Sequence, residues 1–288
     1  MGAGGAPAAL VVATIVAGGL LASCAGESGS SGRPQVVAAL YPLAFVADRV
    51  AGTRADVVDL TPPGAEPHDL ELTPGQVGDV IDADLVLYVG NGFQPSVEEA
   101  VTGTEGMSVA AARLGSAGGE DPHAWLDPEA MGEIAATVAE RMGELDPGGA
   151  ADYLRAAEEL GAELEDLDSD YRQGLADCRL RSFVVTHEAF GRLADRYGLR
   201  QIGIAGIDPE AEPTPSQIAE VVEVIRSEGV TTVFFEPLVS PRAAETVAAE
   251  TDVVTAELDP LEGKPAMGDY FTRMRANLHA LRSALECE

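Results

Sequence analysis

Residues 146–175 read DPGGAADYLRAAEELGAELEDLDSDYRQGL. Tyr153, Leu154, Ala157, Leu160, Leu164, Leu167, Tyr171 and Leu175 keep helical spacing, and Glu and Asp fill the other faces. This is the stripe of an amphipathic helix. It continues for about 28 to 30 residues, roughly 45 Å at 1.5 Å per residue. A strict a/d pattern does not last enough heptads for a coiled coil. The helix is too long for one small lobe and reads as a rigid rod joining two.

Strands and helices alternate on both sides of it. Before it, strands are expected at 34–40, 55–60, 84–89 and 107–111. Helices are expected at 41–51, 74–82 and 95–101, and from Pro128 through Leu145. After it, strands are expected at 181–186, 200–204, 231–235 and 252–258, and the last helix at 265–285. This pattern predicts an α/β protein with two lobes, each carrying four strands in a mostly parallel sheet. The expected domains are 34–146 and 178–288, linked by 147–177.

The chain has 288 residues, 48 acidic and 18 basic side chains, and a formal charge of -30. That charge argues against nucleic acid, whose phosphates would repel it, and suits a protein that handles cations. Residues 1–23 carry no charged side chain and end in Leu21-Ala22-Ser23, before Cys24. The apolar stretch is too short for a membrane span and has the length of a signal-peptide core, although no Lys or Arg precedes it. The tetrapeptide LASC resembles the lipobox of bacterial lipoproteins, in which Cys24 would be lipidated. Residues 24–33 then form a Gly/Ser tether. In an exported chain, the other two cysteines, Cys178 and Cys287, read as one disulfide.

The chain has four histidines. His68 lies in TPPGAEPHDLELTP, where prolines stiffen a loop that follows an apolar strand. His123 lies in AGGEDPHAWLDP beside the one tryptophan, Trp125. His187 and Asp259 each follow an apolar run. In open α/β sheets, ligands collect outside the carboxyl ends of the strands, so these residues point to the cleft between lobes. His279, mid-helix among polar residues, reads as a surface residue. Three imidazoles and a carboxylate suit a divalent transition metal, zinc above all. Glu66, Glu236 or water stand as alternatives to Asp259 for the oxygen.

The motifs EPHDLELTP, DPHAWLDP, THEAFGRLADRYGL and FFEPLVSPRAAETVA, with the carboxylate at LDPL, resemble the metal-specific substrate-binding proteins of bacterial ABC importers, the ZnuA/TroA-like group. The resemblance covers the chain from about residue 34 onward. It implies two (βα)4-type lobes joined by one long helix, and His68, His123, His187 and Asp259 as metal ligands. It also implies delivery of the metal to a membrane permease and its ATPase, so the chain is expected to be an extracytoplasmic, monomeric zinc receptor, with a manganese or mixed receptor of the same family as the alternative. Many zinc members carry a His-rich acidic loop before the second ligand; residues 102–120 contain no histidine. Manganese members tend to have glutamate where His187 stands, which favours Zn2+ over Mn2+. An adhesin with the same fold is a third reading. A zinc hydrolase is the rival from another class, but the H-E-x-x-H signature breaks at Gly191 and four protein ligands leave no open position.

Overall fold

The computed structural model describes residues 1–5, 32–114 and 121–288. Cys24 and nearly all of the leader and tether lie outside the described residues. Among those described, no helix is long and apolar enough to cross a membrane.

The first lobe contains β1 (Gln35–Ala38), α1 (Tyr41–Ala51), β2 (Asp56–Asp59), α2 (Pro74–Asp82), β3 (Leu85–Tyr88), α3 (Pro95–Val101), β4 (Met107–Ala110) and α4 (Pro128–Leu145). The second contains β5 (Ser182–Val185), α6 (Gly191–Tyr197), β6 (Arg200–Gly203), α7 (Pro215–Glu228), β7 (Thr232–Phe235), α8 (Arg242–Thr251), β8 (Val254–Glu257) and α9 (Tyr270–Ala284). The linking helix between them is α5 (Ala150–Gly174). The two sheets have the orders β2-β1-β3-β4 and β6-β5-β7-β8, and every strand pair is parallel. Each lobe repeats one topology, and the carboxyl ends of its strands share an edge.

Local chemistry starts α2 and α4 where the sequence predicts, whereas the last helix, expected from 265, begins only at Tyr270, after its Asp269 cap. Thr73 and Gln76 form a capping box at α2, with Pro74 in the first turn; Thr214, Gln217 and Pro215 repeat the device at α7. Asp127 caps α4 by accepting from the Glu129 N–H at 3.0 Å.

The α5 helix has 25 residues, shorter than the stripe suggested. Residues 146–149 form a turn instead, in which the Asp146 carbonyl accepts the Gly149 N–H at 3.0 Å. Leu154 points outward and is 49% exposed, while Tyr153, Ala157, Leu160, Leu164, Leu167 and Tyr171 form the buried face. The rod is not free-standing. It packs on α1, α4 and α9, and the Tyr171 hydroxyl donates to the Met274 carbonyl at 2.7 Å.

One continuous apolar core runs from the first sheet through α5 to α9 and one face of the second sheet, where Phe183 and Val185 join it. Val184, on the opposite face, packs with Ile204, Val221, Ile225 and Val233 in a smaller core. That alternation is the period of two expected along a strand. Cys178 and Cys287 form the predicted disulfide, which ties the end of α9 to the segment leading into β5.

Candidate metal centre

Four loops converge where the carboxyl edges of the two sheets meet. His68 lies between β2 and α2. That loop is pinned at its start by the Thr61 hydroxyl, which donates to the Ala39 carbonyl at 2.7 Å. Its end is tied back by Gln76 Nε2, which donates to the Leu60 carbonyl at 2.8 Å. His123 immediately precedes a single 3-10 turn, Ala124–Leu126. His187 lies just beyond β5. Glu262 lies in the loop after β8.

The three histidine Nε2 atoms surround one oxygen, Glu262 Oε1, at 3.3 Å from His68, 3.3 Å from His123 and 3.5 Å from His187. All four candidate ligand atoms lie within 4.8 Å of one another. A tetrahedral ion with bonds of about 2.0–2.1 Å has donor–donor edges of about 3.3 Å. The three nitrogen–oxygen separations therefore match the edges of a zinc tetrahedron. His123 Nε2 and His187 Nε2 are buried without a hydrogen-bond partner. Such groups are costly to leave alone and are well suited to a metal.

Outer carboxylates orient two of the rings. Asp121 Oδ1 lies 2.7 Å from His123 Nδ1, and Glu236 Oε2 lies 2.6 Å from His187 Nδ1. Each contact holds the Nε2 lone pair toward the centre. The other oxygen of Glu236 accepts from the Thr186 hydroxyl and from the His187 N–H. Phe93 packs against His68 with ring centroids 4.1 Å apart, and Trp125 packs against His123 at 5.2 Å.

The electrostatics follow from burial and proximity. Burial works against the Glu262 charge, but the three imidazoles of His123, His187 and His68 gathered around it outweigh that and hold the carboxyl well below the usual range. Burial likewise opposes a charge on His187, yet Glu236 and Glu262 raise its pKa to about 10. His123 is raised in the same way, against burial, by Asp121 and Glu262. Glu66 is pushed up to about 8 by burial and by the Glu262 charge beside it.

The structure thus brings His68, His123 and His187 together, as the sequence predicts, and brings Glu262 to them instead of Asp259. The Asp259 carboxylate is occupied elsewhere: Oδ1 accepts the Leu261 N–H at 2.8 Å and Oδ2 meets Arg273 Nε at 3.0 Å. Asp259 folds the turn that presents Glu262. Glu66 also stays outside the cluster, where its Oε1 accepts the His68 N–H at 3.1 Å. Glu236 stands behind His187 and not among the ligand atoms. His279 is exposed on α9 and is not among the clustered ligand atoms. The available signal for Glu262 was LDPLEG itself. An aspartate before Pro-Leu at a strand end favours an Asx turn, which engages that carboxylate and leaves the next acid free.

The family model for ZnuA, the periplasmic zinc-uptake complex component A, matches residues 36–284. The zinc-binding protein AdcA of Streptococcus pyogenes serotype M1 is 31% identical over 88% of this chain and 56% of its own length. The chain therefore spans little more than half of that relative. The high-affinity zinc uptake system protein ZnuA of Bacillus subtilis is 30% identical over 92% of this chain and 94% of its own. Among solved structures, the laminin-binding protein Lmb of Streptococcus agalactiae, described as bifunctional with adhesin and metal-transporting activity, superposes with a TM-score of 0.81. It shares 33% identity, covering 88% of this chain and 99% of that one.

Proposed function

We propose, from the premise that this chain belongs to the ZnuA family of zinc-uptake components, that it is an extracytoplasmic receptor that captures Zn2+ and hands it to an ABC importer. The observation that carries this is the convergence of three imidazole Nε2 atoms on one buried carboxylate oxygen at tetrahedral spacing. His68, His123, His187 and Glu262 are the ligands in this reading. Four protein donors close the coordination shell, as suits a cargo site and not a hydrolytic one. Glu188, the would-be general base beside His187, instead packs against Gly203, where an added Cβ would meet its Cγ at 2.4 Å.

The family's place in a zinc-uptake complex supports a membrane permease and its ATPase as partners. A lipid anchor at Cys24 and a monomeric state complete the proposal, with lobes 34–146 and 178–288 about the linker 147–177. Three imidazoles favour zinc over manganese, which prefers oxygen donors. The test is metal content of protein purified without chelators, followed by competition between zinc and manganese. One tightly held zinc per chain is expected. Preference for manganese would overturn the zinc assignment, and absence of any metal affinity would overturn the receptor assignment.

A further inference from the structure

We propose that Arg192, in the first turn of α6, is a positioning residue for His123, acting through Asp121 across the lobe boundary. The proposal rests on the assignment of His123 as a ligand. His123 precedes the long helix in sequence, but the carboxylate that orients it is gripped from the other side. Asp121 Oδ1 accepts the His123 backbone N–H at 3.0 Å and lies 2.7 Å from its Nδ1. Asp121 Oδ2 accepts the Arg192 backbone N–H at 3.1 Å.

The Arg192 side chain is buried, and its guanidinium faces the first lobe. Nε donates to the Asp121 carbonyl at 3.0 Å, and the two terminal nitrogens donate to Leu114 at 3.2 Å and Ala112 at 2.8 Å. Burying a guanidinium is costly unless its hydrogens are met, and here backbone carbonyls meet them beside the Asp121 carboxylate. Gly191 is fitted to the same contact, because a Cβ there would stand 2.5 Å from Asp121 Oδ2. Two successive residues are thus shaped around one carboxylate. Gly191 clears its approach, the Arg192 backbone N–H meets its Oδ2, and the Arg192 guanidinium holds the Asp121 backbone carbonyl, which sets where the carboxylate stands.

His187 shows why the fixing matters. Its own outer carboxylate, Glu236, is held from within the same lobe by Thr186 and by the His187 N–H. Among the described residues, the anchor on Asp121 Oδ2 is the Arg192 backbone N–H from α6, and the Arg192 guanidinium fixes the Asp121 backbone carbonyl from the same helix. An outer carboxylate orients a metal-binding imidazole only if it is itself fixed.

The test is a double-mutant cycle on the full chain, with zinc affinity read by chelator competition. Arg192→Met should weaken zinc binding about 10- to 100-fold, the usual effect of losing an outer partner. Gly191→Ala, which keeps the guanidinium but displaces Asp121, should weaken it in the same direction. In a His123→Ala background, neither substitution should weaken binding further. Equal losses in both backgrounds would mean a general structural role and overturn the proposal. So would wild-type affinity in Arg192→Met and Gly191→Ala while His123→Ala binds poorly. Unchanged affinity in His123→Ala would instead overturn the ligand assignment, and the proposal with it. If Arg192→Met does not fold, Gly191→Ala decides the matter alone.

Discussion

The indole Nε1 of Trp125 donates to the carbonyl of Pro260 at 2.7 Å. Trp125 follows His123 by two residues, and Pro260 precedes Glu262 by two, so this one bond ties two ligand loops from opposite lobes. The Tyr270 hydroxyl adds a second tie, donating to the Trp125 carbonyl at 2.7 Å.

Trp125→Phe should keep an aromatic ring in the core but leave the buried Pro260 carbonyl unpaired. A lost partner of this kind costs about 1–3 kcal/mol, and the smaller ring leaves a cavity besides. Denaturant unfolding of the metal-free protein should show that loss. Zinc affinity should fall as well, because Glu262 is no longer held against the His123 segment. Wild-type stability and affinity together would mean that this bond does not connect the loops.

Glu262 and Asp259 make a sharper contrast. Glu262→Ala removes the oxygen on which the three imidazoles converge, so zinc affinity should drop more than about 100-fold, beyond the usual effect of an outer partner. Asp259→Ala removes the acceptor for the Leu261 N–H and the partner of Arg273. That should cost about 1.5–3 kcal/mol of stability, with a smaller effect on zinc than Glu262→Ala. The reverse ranking of zinc affinities would restore Asp259 as the ligand.

This exchange of carboxylates marks where sequence reading stopped. The strands, the caps at Thr73 and Asp127, and the three histidines were all legible, because each depends on periodicity or on a local turn. The choice between two acids three residues apart depends on the path of the loop. That path is set by distant partners, namely Asn277, which bonds the Asp259 backbone from α9, and Trp125, which holds Pro260. The start of α5 differs from the expectation for a similar reason. Helical spacing of apolar residues begins only at Tyr153, and the paired glycines 148 and 149 stand before the helix, with Gly149 at its N-cap. Arg192 gave no signal at all, since its partners are backbone carbonyls, which any sequence supplies.

The disulfide between Cys178 and Cys287 spans a separation of 109 residues. In the chain-entropy model a loop of that size is worth about 4–5 kcal/mol. Reduction, or a Cys178→Ser and Cys287→Ser pair, should lower Tm by about 10 °C for a chain of this size. The bridge lies at the amino end of β5, opposite the carboxyl edge that carries the ligands. Zinc affinity at 25 °C should therefore change only a few-fold. A large loss of affinity with an unchanged Tm would contradict both parts of this argument.

Protons compete with zinc for the centre, and the site's own charges set the range of pH. Burial alone would strip the proton from His187, but Glu236 and Glu262 outweigh it and raise the pKa to about 10. In the metal-free fold a raised histidine stabilises fully below its unfolded value of about 6.5, and that contribution fades as pH climbs toward the folded value. Zinc requires the neutral ring, so it must displace the proton that the metal-free site retains. Ordinary imidazoles would stop competing just above their unperturbed pKa of about 6.5. Here, zinc affinity should keep rising between pH 7 and 9, by about tenfold per pH unit for each proton displaced. Calorimetry at pH 8 in buffers of different ionisation enthalpy should show about one proton or more released per zinc bound. Affinity that is level from pH 7.5 to 9, with no proton release, would mean that His187 is neutral before metal arrives. The pull of Glu236 and Glu262 would then be too weak to hold its proton.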